Sequence, residues 1–66
     1  MRIYKIMAKY PNGKIEYVTL FEGEITNKNI DYAKKFNSKK KAIDMSNFLK
    51  EKLSDINFVV FSLVRD

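Results

Sequence analysis

The stretch that decides the fold is YKIMAKYPNGKIEYV, residues 4–18. Its two arms are rich in Ile, Val and Tyr, which favour strands, and they flank PNGK at residues 11–14. Asn-Gly at the two central positions is a strong hairpin signal, because a type I′ turn needs positive φ at both. Residues 2–21 are therefore predicted to form a β-hairpin, in a register that places Lys9 opposite Glu16 as a pair of opposite charge.

This register sorts the side chains of the hairpin onto two unlike faces, because successive side chains of a strand alternate between the faces of a sheet. The predicted uncharged face carries the aromatic side chains Tyr4, Tyr10, Tyr17 and Phe21. If a helix covers this face, the aromatics form the core, which is the commoner role for such residues. If the helix covers the other face, they form an exposed contact face on which bases could stack, as on sheet-based RNA readers.

The rest of the chain predicts one more strand, a helix and a last strand. Residues 24–29 are polar and are interpreted as a loop. Residues 31–36 alternate like a short edge strand whose lysines discourage unwanted pairing, and a short helix is the competing interpretation. Ser38 is a suitable N-cap for the clearest helix, residues 38–53. Residues 56–64 are apolar on both sides, a pattern typical of a strand in the middle of a sheet.

The order of elements, β-β-β-α-β, predicts an α+β fold, a small two-layer sandwich in a single domain over residues 1–66. A three-stranded meander with the last strand added beside the first gives a mostly antiparallel sheet in the order 3-2-1-4. One helix can cover only one face of this sheet. Apolar side chains on the other face must then stay exposed or contact a partner.

Composition excludes several kinds of chemistry. The 66 residues contain no cysteine and no histidine, which excludes disulfides and thiolate metal sites and removes the commonest general base. With two glycines the chain has no glycine-rich phosphate loop, and its carboxylates are scattered. We expect no enzyme activity, no cofactor and no metal site. A chain this short buries only about 60% of its unfolded surface, so a partner or a homodimer is one way to gain stability.

The N-terminal residues 1–10 predict neither a signal peptide nor a membrane span, because charges interrupt them. A cytoplasmic protein is therefore expected.

The net charge of +5 is concentrated in residues 28–41, where six lysines stand against one aspartate. A focused positive field attracts an acidic partner, either nucleic acid or an acidic protein surface. The residues predicted to bind an anion or such a partner are Lys34, Lys35, Ser38, Lys39, Lys40 and Lys41.

The helix start within FNSKKKAID, residues 36–44, has two interpretations. Lysines in a first turn oppose the helix dipole by about 0.3–1 kcal/mol each at low salt, which favours an anion bound by the Ser38 hydroxyl, the free amides and the lysines. Alternatively the lysines extend into water, where screening makes the penalty small, and Asp44 offsets part of their charge. The second interpretation is preferred for a specific phosphate site, and the first for a general surface that binds an acidic partner.

The hairpin YKIMAKYPNGKIEYV followed by AKKFNSKKKAIDMSNFLKEKL resembles, in size and style, the small proteins made by phages and mobile elements of AT-rich Gram-positive bacteria. This resemblance implies a protein that acts by binding inside the bacterial host cell, as an inhibitor of a host protein such as a defence nuclease, of the anti-CRISPR type. The alternative is a small nucleic-acid-binding module that uses the basic segment 34–41.

Overall fold

In a computed structural model of the chain, residues 2–21 and 23–64 are described, and they form a four-stranded antiparallel sheet with one helix. The elements are β1 (Arg2–Lys9), β2 (Ile15–Phe21), β3 (Glu24–Asn27), a 3₁₀ turn (Ile30–Tyr32), α1 (Lys39–Lys52) and β4 (Asn57–Val64). The strands lie in the order β3-β2-β1-β4. The predicted α+β fold and the predicted order 3-2-1-4 are both confirmed.

The helix is confirmed close to its predicted limits. Ser38 is the N-cap, and its Oγ accepts a hydrogen bond from the backbone N–H of Lys41 at 3.4 Å. At the other end, the N–H of Leu53 donates to the carbonyl of Leu49 at 2.7 Å. The predicted N-cap therefore acts as one, and the lysines after it do not prevent the helix from forming.

The third strand is not where the sequence predicted it. Residues 24–29 were expected to be a loop, but Glu24–Asn27 pairs antiparallel with β2. Gly23, with φ of +82°, provides the left-handed residue that lets the chain reverse directly after β2. The predicted strand over residues 31–36 is wrong as well, because that segment begins with the 3₁₀ turn and pairs with β1 only through Phe36.

The hairpin is confirmed, but its turn is not type I′. The N–H of Tyr10 donates to the carbonyl of Lys14 at 2.9 Å, and the N–H of Gly13 donates to the carbonyl of Tyr10 at 2.9 Å. Gly13 has φ of +88°, whereas Asn12 is not left-handed. This is the pattern of a three-residue loop in which a turn is followed by a left-handed glycine. Pro11 favours it, because a fixed φ near −65° suits the second position of a type I turn.

The longer loop shifts the strand register by one residue. Lys9 lies opposite Ile15, and Ala8 lies opposite Glu16, so the predicted Lys9–Glu16 pair is wrong. A shift of one residue moves every side chain of the second strand to the other face of the sheet. Tyr17 is therefore separated from the aromatic side chains of β1 with which it was grouped.

The helix packs on β1 and β4, and the face that it covers is called the helix face. Its core is a cluster of buried side chains drawn from every layer, namely Ile6, Ala8, Val18, Phe36, Ala42, Leu49 and Phe58. Burying one such large apolar side chain contributes about 1.5–3 kcal/mol. The core thus combines Ala42 and Leu49 of the helix with a β2 face that the predicted register had assigned to the other side.

The opposite side of the sheet is called the open face. Its end near the N-terminus of β1 lies beneath the 3₁₀ turn, where Lys5 is buried. Farther along, Met7, Tyr17 and Phe61 are half-buried, and among the described residues no helix or strand packs over them. The rings of Tyr17 and Phe61 meet edge to face with centroids 6.1 Å apart. Apolar surface therefore remains on this face, as expected for a sheet that is covered by a single helix.

Candidate functional site

Three of the predicted lysines gather around one cavity. This cavity, the basic groove, has a volume of about 510 Å³ and lies between α1 and residues 34–37. It is lined by Lys34, Lys35, Phe36, Asn37, Lys41, Asp44, Met45 and Phe48. Cationic side chains and apolar side chains are thus placed together in one concave surface.

Backbone hydrogen bonds fix one wall of the groove. Beyond the paired part of the hairpin, residues 34–36 lie against both of its strands. The N–H of Lys34 donates to the carbonyl of Val18 at 2.9 Å. Phe36 exchanges two hydrogen bonds with Tyr4, each of 2.9 Å. Because the helix begins directly after this segment, its first turns are held beside it and form the second wall.

The charge of the groove is positive but not uniform. The Nζ atom of Lys34 lies 5.6 Å from the ring centroid of Phe36, within the range of a cation–π contact. Asp44 adds a carboxylate to the wall, and its Oδ2 is 3.0 Å from the Nζ atom of Lys40. Both partners of this ion pair are exposed, so it adds little stability, but it offsets the charge of Lys40.

The other predicted anion-binding residues do not join the groove. Lys39 lines a separate cavity together with Arg2, Tyr4 and Ser62. Lys40 is paired as described, and the Ser38 hydroxyl is occupied as the helix cap. The run of lysines at the helix start therefore points in more than one direction. The predicted cluster of six residues is reduced to the three lysines of the groove.

The four aromatic residues predicted to share one contact face do not share it. Tyr4 and Tyr10 are on the helix face and pack against the core. Tyr17 is on the open face, because of the one-residue shift in register. Phe21 is exposed at the end of β2, beyond the irregular pairing of β2 with β3. The prediction of a single aromatic platform is wrong.

Sequence reasoning missed the apolar part of the groove. Phe48 is 52% exposed and lies on the flank of the helix next to Met45. The Nζ atom of Lys52, one turn later, is 5.5 Å from its ring centroid. The signal in the sequence was Phe48 itself, a large aromatic residue beside the buried side of the helix that is not needed to fill the core.

One carboxylate outside the groove has a perturbed acidity. The hydrogen bond that Glu16 accepts from Thr26, at 2.7 Å, lowers the pKa of Glu16, and the neighbouring Lys14 ammonium at 3.0 Å lowers it further. Tyr10 completes this network, since its hydroxyl lies 2.7 Å from the Thr26 hydroxyl. The network links Tyr10, which directly follows β1, to β2 and β3 near the hairpin loop, which indicates a structural role.

Within residues 2–21 and 23–64, no helix is long and apolar enough to cross a membrane. The same residues contain no group of three or more acidic side chains that could hold a metal ion.

Comparison with known proteins assigns no family, since no family model matches the chain and no similar protein was found among curated proteins or solved structures.

Proposed function

We propose that the chain is a non-enzymatic binding protein whose basic groove binds an acidic segment of a partner protein. The observation that carries this proposal is the composition of the groove, in which Lys34, Lys35 and Lys41 line the same cavity as the exposed ring of Phe48. An amphipathic acidic segment matches both features. Its carboxylates would contact the lysines, and an apolar side chain would cover the exposed ring.

Charge distribution favours a protein over a nucleic acid as the partner. Proteins that bind single strands use a positive groove that follows the phosphates, with aromatic side chains on which bases stack. Here Asp44 lies in the wall of the groove, and Lys39 belongs to a different cavity. A phosphate backbone in the groove would be repelled by the Asp44 carboxylate, whereas a protein segment can place a hydrogen-bond donor beside that carboxylate.

The class of partner is supported by the resemblance to phage and mobile-element proteins. It favours an inhibitor that acts in the bacterial host cell on a defence nuclease, as anti-CRISPR proteins do. Metal-dependent nucleases offer acidic side chains where carboxylates hold the catalytic ions. A bound inhibitor with lysines at its contact surface would compete with those ions or cover their access.

The proposal is tested with a charge-reversal pair and a matched control. The test variant carries Lys34→Glu and Lys41→Glu, and the control carries Lys28→Glu and Lys50→Glu, two exposed lysines outside the groove. Tagged wild type and both variants are used for affinity purification from a lysate of a Gram-positive bacterium, and captured proteins are identified by mass spectrometry. Circular dichroism confirms that each variant is folded.

The expected result is a protein captured by the wild type and by the control but not by the groove variant. With the purified partner, titration calorimetry is expected to give a Kd at least about tenfold weaker for the groove variant. If the partner is a nuclease, its cleavage rate is measured with and without the chain. Equal capture by all three proteins, or no capture, contradicts the proposal.

A mobility-shift assay at low salt checks the nucleic-acid alternative with single- and double-stranded DNA and with RNA. Binding that weakens log-linearly as salt rises, and that the groove variant loses, would replace the protein partner with a nucleic acid.

A further inference from the structure

The outer edge of β4 is the least protected strand edge of the described chain. β4 is eight residues long, has the sequence NFVVFSLV, and contains no charged residue, no proline and no glycine. It lies at the end of the sheet, with β1 as its neighbour on the inner side. Long, apolar, uncharged edges are templates for pairing with another chain.

The pairing of β1 determines which backbone groups β4 directs outward. The N–H and C=O of Tyr4 bond to Phe36 on the side of β1 away from β4. Since these groups alternate sides along an antiparallel strand, Lys5 directs its own toward its β4 partner, Phe61. The β4 residues that direct N–H and C=O to the outer edge are therefore Phe58, Val60, Ser62 and Val64.

The opposite edge of the sheet is protected in the ways that β4 lacks. β3 is only four residues long and begins with an exposed glutamate, Glu24. Its pairing with β2 is interrupted by a bulge between Val18 and Phe21. Short length, charge and bulges all discourage edge-to-edge pairing. β4 is therefore the edge of the described sheet that is better suited to pair with another strand.

We propose that two copies of this chain pair through β4 in an antiparallel, two-fold symmetric dimer centred on Phe61, which joins their sheets into one. In this register Phe61 lies opposite its own copy, and every outward-directed residue of β4 meets another such residue. Phe58 pairs with Val64, and Val60 pairs with Ser62. All of these β4 residues are uncharged, so no like charges of the two strands themselves face each other.

The open face supports a second copy as the occupant. Val59, Phe61 and Leu63 alternate on that face, and the dimer would place Val59 opposite Leu63 of the second copy. The edge-to-face contact of Tyr17 with Phe61 would then extend across the two-fold axis as a continuous aromatic row. Pairing therefore adds apolar contacts to the main-chain hydrogen bonds.

Salt dependence distinguishes this dimer from binding in the basic groove. Lys39 and Arg2 lie beside Ser62, so two pairs of cations approach each other when the edges meet. Added salt screens this repulsion and is expected to strengthen the dimer. Binding of an acidic segment to the groove is expected to weaken with salt. The two events can therefore be measured separately in the same protein.

The first test is sedimentation equilibrium of the wild type, Ser62→Lys and a matched control, Ser54→Lys. Ser62 is exposed on the paired edge, and Ser54 is exposed in the turn after the helix. The wild type and the control are expected to dimerise alike, whereas Ser62→Lys is expected to raise the dimer Kd at least about tenfold, since lysine is a natural edge protector. A wild type that stays monomeric up to about 1 mM overturns the proposal, as does a dimer that Ser62→Lys leaves unchanged.

The second test measures the register and does not depend on the folding of the lysine variant. Because the chain has no cysteine, Phe61→Cys introduces a single thiol. Non-hydrogen-bonded pairs across antiparallel strands have Cα atoms about 4.5 Å apart, within the range that a disulfide spans. In a glutathione redox buffer, Phe61→Cys is expected to form covalent dimers faster than Phe48→Cys, whose thiol is exposed on the helix. Equal rates overturn the proposal.

Discussion

Thr19 anchors the 3₁₀ turn to the sheet, and Thr19→Val tests how much that anchor contributes. The Thr19 side chain is only 7% exposed, and its Oγ1 donates to the carbonyl of Tyr32 at 2.6 Å. The hydrogen bonds within the turn use the carbonyls of Asn29 and Ile30, and they leave that of Tyr32 to the threonine. Valine has nearly the same shape, so the substitution removes the donor and preserves the packing.

The expected effect follows from the carbonyl that loses its partner. A part-buried acceptor without a donor lowers the free energy of unfolding by about 1–3 kcal/mol. In a domain of this size each kcal/mol lowers Tm by about 4–8 °C. Stability is expected to fall locally at the 3₁₀ turn as well as globally, because the turn is held on the open face by few contacts. Hydrogen exchange at the amide of Ala33, which closes the turn on Ile30, is therefore expected to accelerate.

Urea denaturation followed by circular dichroism measures the change, with Ser46→Ala as the control. Ser46 is also buried, at 3% exposed, and its hydroxyl donates to the carbonyl of Ile43 at 2.8 Å. That carbonyl also accepts a backbone N–H within the helix, so it keeps a donor in the control. We expect the control to change stability by less than about 0.5 kcal/mol. Equal stabilities of Thr19→Val and the wild type would refute the reasoning, and so would a control that loses as much.

Three further predictions concern other residues. Lys5→Met removes the ammonium that donates to Ile30 at 2.9 Å, but that carbonyl keeps the N–H of Ala33, so urea denaturation is expected to show a smaller loss than Thr19→Val. Gly13→Ala places an alanine where the backbone has φ of +88°, and its Cβ would meet no atom within 4 Å. Calorimetry is therefore expected to show a free energy of unfolding lower by about 1–2 kcal/mol, from backbone strain alone. Glu16→Gln removes a carboxylate whose pKa lies below its ordinary value of 4.5 because Thr26 donates to it. The stabilisation from ionised Glu16 is present above that ordinary value and is lost as pH falls through the lower folded pKa, so wild type and variant are expected to converge in acid denaturation.

The parts of the fold that could be predicted are those with a strong local signal. The helix combines a suitable N-cap at Ser38 with a regular apolar stripe. The largely apolar segment 56–64 correctly predicted a strand, but its pattern indicated the middle of a sheet, whereas β4 lies at the edge. The hairpin arms have clear strand composition, and a meander with the last strand added beside the first gives the observed sheet order. Each of these signals lies within a few residues of the element that it predicts.

The turn was missed because two turn signals overlap, one residue apart. Asn12-Gly13 favours a two-residue loop, whereas Pro11 favours a three-residue loop that ends at Gly13. The prediction followed the Asn-Gly signal, which placed β2 one residue out of register and assigned its side chains to the wrong faces of the sheet. β3 was missed because its four residues are polar and too short for a periodic pattern.

The candidate site was predictable only in part. The concentration of charge identified the lysines of the groove, but it does not show where each side chain points, and Lys39 lines a different cavity. The groove depends on the contact of Phe36 with Tyr4, residues far apart in the chain. No local pattern could have placed Phe48 beside them.

The hydrogen bonds that fix residues 34–36 have a consequence for the kinetics of recognition. Residues 34–36 are tied to two strands and cannot move away without breaking backbone hydrogen bonds, so the backbone of this wall of the groove is held in place before any partner arrives. Preorganised surfaces lose little conformational entropy on association. Complex formation at the groove is then expected to be a single bimolecular step whose observed rate rises linearly with partner concentration and does not level off at a slow opening step.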